Sequence, residues 1–191
     1  MGKIFYLEGS RAVGKTTLLR NIRRNAPNFI VIDGYARKEF MFDTTKLDEF
    51  IINEKLYLAC DLVQYDILKN EDSPVVIVKG PYTDVYYAER YIQKVFPAQD
   101  IKKTSLYPYI ERVKKYCTPD GIIYLDAPVE IIKKRCAGDS HFRKTMDEFL
   151  KNWLEDFERY FKSFSLTKVL DTSDKDEMVV YREFMKMIEE I

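Results

Sequence analysis

The sequence predicts an α/β fold, a five-stranded parallel sheet with helices on both faces, and three observations carry that expectation. Short apolar runs recur along the 191 residues as continuous stretches, not as alternating ones, which is the pattern of strands buried on both sides. Segments with helical apolar spacing separate them, so strands and helices alternate in the order a parallel sheet requires. No internal repeat, low-complexity tract or linker interrupts the chain, so residues 1–191 read as one domain.

Taken in order, "KIFYL" (3–7) reads as the first strand and "KTTLLRNIRRN" (15–25) as the helix after it. "NFIVID" (28–33) is a second buried strand that ends on an acid. A long helix is expected from Thr44 to about Asn70, with Leu47, Ile51, Leu58, Leu62 and Tyr65 marking one face. "SPVVIVKG" (73–80) gives the third strand, followed by a helix in "DVYYAERYIQKVF" that Pro97 stops. "TSLYPYIERVKKY" (104–116) reads as another helix and "DGIIYLDAP" (120–128) as the fourth strand. "PVEIIKKRC" starts a helix, and "TMDEFLKNWLEDFERYFKSF" (145–164) is a long amphipathic one whose Phe149, Phe157 and Phe161 stripe, with Trp153, reads as core. "TKVLDTSD" supplies the fifth strand, and Ser173 reads as the N-cap of a last helix. The segment 136–145, "CAGDSHFRKT", is the candidate lid.

Thirty-one acidic residues balance thirty-one basic ones, so net charge gives no reason to expect nucleic acid or an anionic membrane as partner. The 14 tyrosines and 12 phenylalanines are spread along helices and do not form a base-stacking platform. Cys60, Cys117 and Cys136 are odd in number and far apart, which argues against a disulfide framework or a zinc site and for a reducing, cytoplasmic setting. The apolar opening run meets Glu8 too early for a signal peptide or a membrane span. Tyr6 stands where a myristoylation signal after Gly2 needs Ser or Thr.

Between the first strand and the first helix, Gly9, Gly14, Lys15 and Thr16 satisfy G-x-x-x-x-G-K-[ST]. This spacing lets the chain wrap a phosphate with backbone N–H groups, while the following helix offers its free amides and positive dipole end. Gly9, Ser10, Arg11, Ala12, Val13, Gly14, Lys15, Thr16 and Thr17 are therefore expected to bind ATP or a relative. Lys15 would reach the β- and γ-phosphates, and the Thr16 hydroxyl would ligate Mg²⁺.

The stretch "KIFYLEGSRAVGKTTLL" resembles the opening of thymidylate kinases and deoxynucleoside kinases, where an acid-glycine pair likewise leads into the phosphate loop. "LYLACDLVQYDILK" (56–69), "GIIYLDAPVEIIKKRC" (121–136) and "HFRKTMDEFLKNWLEDFERYF" resemble the acceptor-site helix, the strand and helix leading to the lid, and the lid exit of the same families. The resemblance implies a three-layer P-loop fold and an ATP- and Mg²⁺-dependent transfer of the γ-phosphate to a small acceptor, a nucleoside or nucleoside monophosphate. It implies acceptor contacts from Asp61 and Gln64, three apart on one helix face, and from Tyr82, which otherwise simply packs. It also makes a homodimer the oligomer to expect, although no surface stripe in the sequence demands one.

The departures bear on the acceptor. Those families end the third strand with an acid-arginine pair, where this chain has "IVKGPYTD", and Leu62 stands where thymidylate kinases place an arginine. Lys79 offers positive charge as a point donor, not a bidentate fork. Two missing arginines weaken the case for a monophosphate and leave room for a nucleoside hydroxyl, which needs a base instead. Asp33 stands where deoxynucleoside kinases carry a glutamate, and reads either as that base or as a capping acid after its strand. Arg37 and Lys38 follow it and read as solvated surface.

Arg135, Arg143 and Lys144 bracket the lid, and Arg143 is the first choice for a cation that stabilises the transferred phosphoryl group. His141 reads as a lid surface residue. Asp126 reads as a support for the loops, or as a water-mediated holder of Mg²⁺. A kinase of another small molecule, or a nucleotide-binding protein without phosphotransfer, remain the competing readings. The "VKGP" segment is the feature that favours the last.

Overall fold

A computed structural model of the protein describes residues 2–33, 42–137 and 149–191. They fall into two compact units. The first contains the sheet and spans residues 3–33, 73–78 and 119–191.

Its strands are β1 (Ile4–Gly9), β2 (Ile30–Ile32), β3 (Val75–Val78), β4 (Gly121–Asp126) and β5 (Thr167–Asp171), in the order β2-β3-β1-β4-β5 and all parallel. β1 is central, with Tyr6 opposite Ile77 on one side and Ile122 on the other. It is buried along its whole length, as its unbroken apolar run requires. The helices of this unit are α1 (Lys15–Asn25), α5 (Val129–Cys136), α6 (Leu154–Lys162) and α7 (Glu177–Glu189).

Side chains alternate across a strand, and the two faces of this sheet meet different helices. Phe5, Leu7, Val76, Val78, Ile123, Leu125 and Leu170 form one core with Leu18, Leu19 and Ile22 of α1 and Val180, Phe184 and Ile188 of α7. Tyr124, between Ile123 and Leu125, points the other way, with its ring 6.3 Å from Phe157 and 6.2 Å from Phe161 of α6. Helices therefore cover both faces, as expected, and each fully buried large apolar side chain contributes about 1.5–3 kcal/mol.

The second unit holds α2 (Leu47–Leu68), α3 (Pro81–Val95) and α4 (Tyr107–Tyr116), with a 3₁₀ turn at Ile101–Lys103. Phe50, Ile51 and Leu58 of α2 pack with Val85, Ala88 and Ile92 of α3 and Ile110 and Val113 of α4. Leu47, Leu62 and Tyr65 lie against the same core, so the helix face read from the sequence is the inward one. No helix among the described residues is long and apolar enough to cross a membrane.

Three local expectations are corrected. α3 begins at Pro81, where a missing N–H costs nothing, so Tyr82 belongs to its first turn. The helix expected at 145–164 is seen at 149–152 and in α6, with Trp153 (φ −130°, ψ −28°) as a turn between them; residues 145–148 lie outside the described residues. Ser173 is not the cap of α7. Its amide and hydroxyl both donate to Asp171 Oδ1, at 2.8 and 2.5 Å, while Asp176 accepts from the amide of Met178 at 2.8 Å. Asp176→Ala is accordingly expected to cost about 1 kcal/mol in urea unfolding, and Ser173→Ala distinctly less.

Candidate active site

The turn from β1 into α1 is built by torsion angles that a run of ordinary residues does not adopt. Gly9 has φ 129° and Gly14 has φ 102°, and Ala12 between them is left-handed at φ 59°. Gly9 also lies where no side chain fits, because a Cβ there would stand 2.4 Å from the Leu125 carbonyl oxygen of the neighbouring strand. Val13 is 1% exposed and anchors the loop in the core. Over Gly14 the space is open, with nothing within 4 Å of a Cβ built there.

Lys15 is the first residue of α1, yet only 9% of it is exposed, because its side chain folds back under the loop. Its ammonium donates to the carbonyl oxygens of Gly9 at 2.7 Å and Ser10 at 2.5 Å. Gly14 precedes the helix, and no side chain caps it. The first intrahelical bond is Leu18 N to Gly14 O, 2.9 Å, so the amides of Lys15, Thr16 and Thr17 precede that ladder. With no acid in the first turn, this end of α1 keeps its positive potential, and Thr16 is exposed beside it. A compact ammonium, the amides that open α1 and a hydroxyl lie on one turn, and the arrangement suits a polyphosphate with its metal.

Arg135, expected at the edge of a lid, makes a tie that the sequence does not reveal. Its guanidinium donates to Thr172 O at 2.7 Å, Thr172 Oγ1 at 3.1 Å and the Ala12 carbonyl at 3.4 Å, so it joins the apex of the loop to the exit of β5. Asp126 is the second junction. Its carbonyl accepts from Thr172 N at 2.9 Å and from Thr172 Oγ1 at 3.1 Å, and its carboxylate holds Lys162 at 2.7 Å. That pairing favours the supporting role over the metal-holding one. A cleft of about 610 Å³ opens between the ends of β4 and β5 and α6, and Asp126, Glu155, Glu158 and Asp171 line it. Burial pushes the Glu158 carboxyl up, with Lys162 opposing. Such an acidic lining repels phosphate.

Among the expected acceptor residues, Asp33 follows β2 directly and is exposed. It shares the carboxyl edge of the sheet with the loop, and β3 lies between their strands, which separates them by about 10 Å. Lys79 follows β3, is exposed, and takes φ 52°. In the helical unit Asp61 is 3% exposed, so it is a buried group and not part of a solvated face, while Gln64 is half-buried. Tyr82 is buried; burial pushes its hydroxyl pKa up, and a hydrogen bond with the Thr118 side chain opposes that. Arg37, Lys38, His141, Arg143, Lys144 and most of the segment 136–145 lie outside the described residues.

Asp61 bears on the chemistry of a neighbour. Burial, and then the Asp61 charge, push the Cys117 thiol from the ordinary value of 9.0 up to about 12. Its neutral form contributes stability that is intact below pH 9 and is lost as the pH rises toward 12. In the native protein at pH 8, Ellman's reagent should therefore modify exposed Cys60 rapidly and spare buried Cys117 and Cys136, with all three reacting in denaturant.

No family model matches the chain, and no curated protein is similar to it in sequence. Solved structures are similar over nearly its full length. Deoxyadenosine kinase from M. mycoides with bound dATP superposes with a TM-score of 0.69 at 16% identity, covering 98% of this chain and 99% of that one. The same enzyme with products dCMP and a flexible dCDP gives 0.65 at 14% identity, covering 98% and 100%. The chain has the P-loop nucleotide kinase fold. Thymidylate kinase from Candida albicans shares this fold at a TM-score of 0.59 and 16% identity, over 98% of this chain and 91% of that one.

Proposed function

We propose that the protein is an ATP-dependent phosphotransferase of the nucleoside and nucleotide kinase type. The observation that carries this reading is the Lys15 ammonium, held inside the loop by the Gly9 and Ser10 carbonyls next to the amides that open α1. In phosphoryl transfer the protein chiefly positions groups and stabilises charge, and this turn has the parts for both. The dATP held by a structural neighbour supports the choice of a purine nucleoside triphosphate.

ATP would supply the γ-phosphoryl group, and Mg²⁺, when bound, would balance its charge. No group of three potential His, Cys, Asp or Glu ligands occurs among the described residues. The Thr16 hydroxyl, exposed at the head of α1, would be a protein ligand to a metal otherwise held by phosphate oxygens and water, which suits Mg²⁺. Lys15 and the loop amides bind and orient the phosphates. Asp33 orients the acceptor hydroxyl and takes its proton as the oxygen attacks phosphorus and the bond to the departing diphosphate breaks. Asp61, Gln64, Lys79 and Tyr82 shape the acceptor side, and Arg143 from the lid stabilises the charge on the transferred group. With lysine at 79 and leucine at 62 in place of arginines, a nucleoside hydroxyl is the favoured acceptor over a nucleoside monophosphate.

The test is transfer from γ-labelled ATP and Mg²⁺ to a panel of nucleosides, nucleoside monophosphates and small alcohols. A labelled nucleoside whose formation is lost in Asp33→Asn is the expected result. A labelled monophosphate would move the acceptor phosphate onto Lys79 or the lid. ATP binding without any labelled acceptor would sink the kinase reading and leave a nucleotide-binding protein.

A further inference from the structure

Ala12 keeps a left-handed backbone, at φ 59°, without being a glycine. A residue with a Cβ holds that conformation only where its surroundings impose it. Val13, buried in the core, fixes the chain on one side. On the other, the Ala12 carbonyl accepts from Arg135 Nη1 at 3.4 Å. A trans peptide points its C=O and its N–H in opposite directions, so a carbonyl turned toward Arg135 turns the Val13 N–H away from it.

Arg135 is itself oriented by the sheet. Its Nη1 also donates to Thr172 Oγ1 at 3.1 Å and its Nη2 to the Thr172 carbonyl at 2.7 Å, so one residue receives both arms of the fork. Thr172 is 3% exposed, and its amide and hydroxyl donate to the Asp126 carbonyl at 2.9 and 3.1 Å. It follows β5 directly, where Asp171 lies opposite Asp126 at the end of β4. A rigid pair of strands thus reaches the apex of the loop through one guanidinium.

We propose that Arg135 is a positioning residue of the phosphate loop. Through Thr172 it fixes the direction of the Ala12–Val13 peptide, so that the Val13 N–H is set as a donor to phosphate before nucleotide arrives. Such presetting removes the ordering cost from the binding step. Arg135 acts on the loop and not on the nucleotide. Its use in ATP binding rests on the proposed function, whereas the tie itself does not.

The backbone order parameter of the Val13 amide in the nucleotide-free chain measures the tie, and calorimetric titration with ATP and Mg²⁺ measures its use. The order parameter should be about 0.85 in the wild type and fall below about 0.6 in Arg135→Gln. The same variant should bind ATP about tenfold more weakly. Lys134→Gln, which removes a charge from the neighbouring exposed position, should change neither value. Thr172→Val removes one of the oxygens that orient the fork. It should weaken ATP about threefold in the wild-type background and not at all in Arg135→Gln, while Thr172→Ser should bind as the wild type does. Arg135 is exposed, so the circular dichroism spectrum of Arg135→Gln should match that of the wild type. A Val13 amide that stays rigid in Arg135→Gln, or an equal effect of Thr172→Val in both backgrounds, would overturn the proposal and leave the kinase reading intact. Wild-type protein that binds no ATP would overturn both.

Discussion

Lys15→Ala is expected to lower kcat/KM for phosphoryl transfer about 100- to 1,000-fold, the usual cost of removing one preorganised charge from such a site. Lys15→Arg should recover little of it. The two carbonyls that receive the ammonium, at 2.7 and 2.5 Å, accept a compact point charge, and a planar guanidinium with its longer fork does not fit between them. Initial rates with a saturating acceptor and varied ATP measure both variants. Transfer that survives in Lys15→Ala would remove the loop from the reaction.

The largest stability effect is expected at Gly9. In Gly9→Ala the new Cβ would lie 2.4 Å from Leu125 O and 3.1 Å from Val13 Cγ2, at a φ of 129° that L-residues rarely adopt. The Leu125 carbonyl belongs to β4, which pairs with β1 at this point, so relief requires moving a central strand. A loss of about 3–5 kcal/mol is expected, which is about 10 °C in melting temperature for a chain of this size. Gly14→Ala provides the comparison. Its φ of 102° carries the torsional strain, but its Cβ meets nothing, so about 1–2 kcal/mol should be lost. Differential scanning calorimetry of the pair separates steric conflict from backbone strain, and equal losses would contradict the distinction.

What the sequence displays of this fold is whatever is written locally. The first helix begins at Lys15 and ends at Asn25 as its pattern indicates, because glycine, lysine and apolar spacing lie within a few residues of each other. The three inner strands show as apolar runs because both faces of the sheet are covered there, whereas β2 and β5 at the edges are only partly buried. Competition between neighbours was harder to read. Ser173 is a good capping residue, but Asp171 two positions earlier takes both its amide and its hydroxyl, and Asp176 caps the helix instead.

Contacts across long separations left no trace at all. Arg135 lies 123 residues from Ala12 and 37 from Thr172, and nothing in "KKRC" indicates that its guanidinium ties the two together. Which side of α2 faces out was hidden for another reason. Phe50, Ile51, Leu58 and Leu62 pack inward while Ile52, Leu56, Val63 and Ile67 face out, so apolar residues surround the helix and periodicity alone cannot separate the two faces. The burial of Asp61 was illegible for the same reason, since it is set by the helices packed around α2.

The grip of the loop on its own lysine has a consequence for which anions it admits. The ammonium has already left water and rests on two carbonyl oxygens, so an arriving anion must draw it from partners that are well placed. A lone phosphate ion places all its oxygens at one point of the loop. A chain of phosphates offers several, because it engages the amides at the head of α1 as well as the lysine. Under the proposed function the loop would favour a polyphosphate over abundant small anions, because the longer ligand gives more of these donors an oxygen at once.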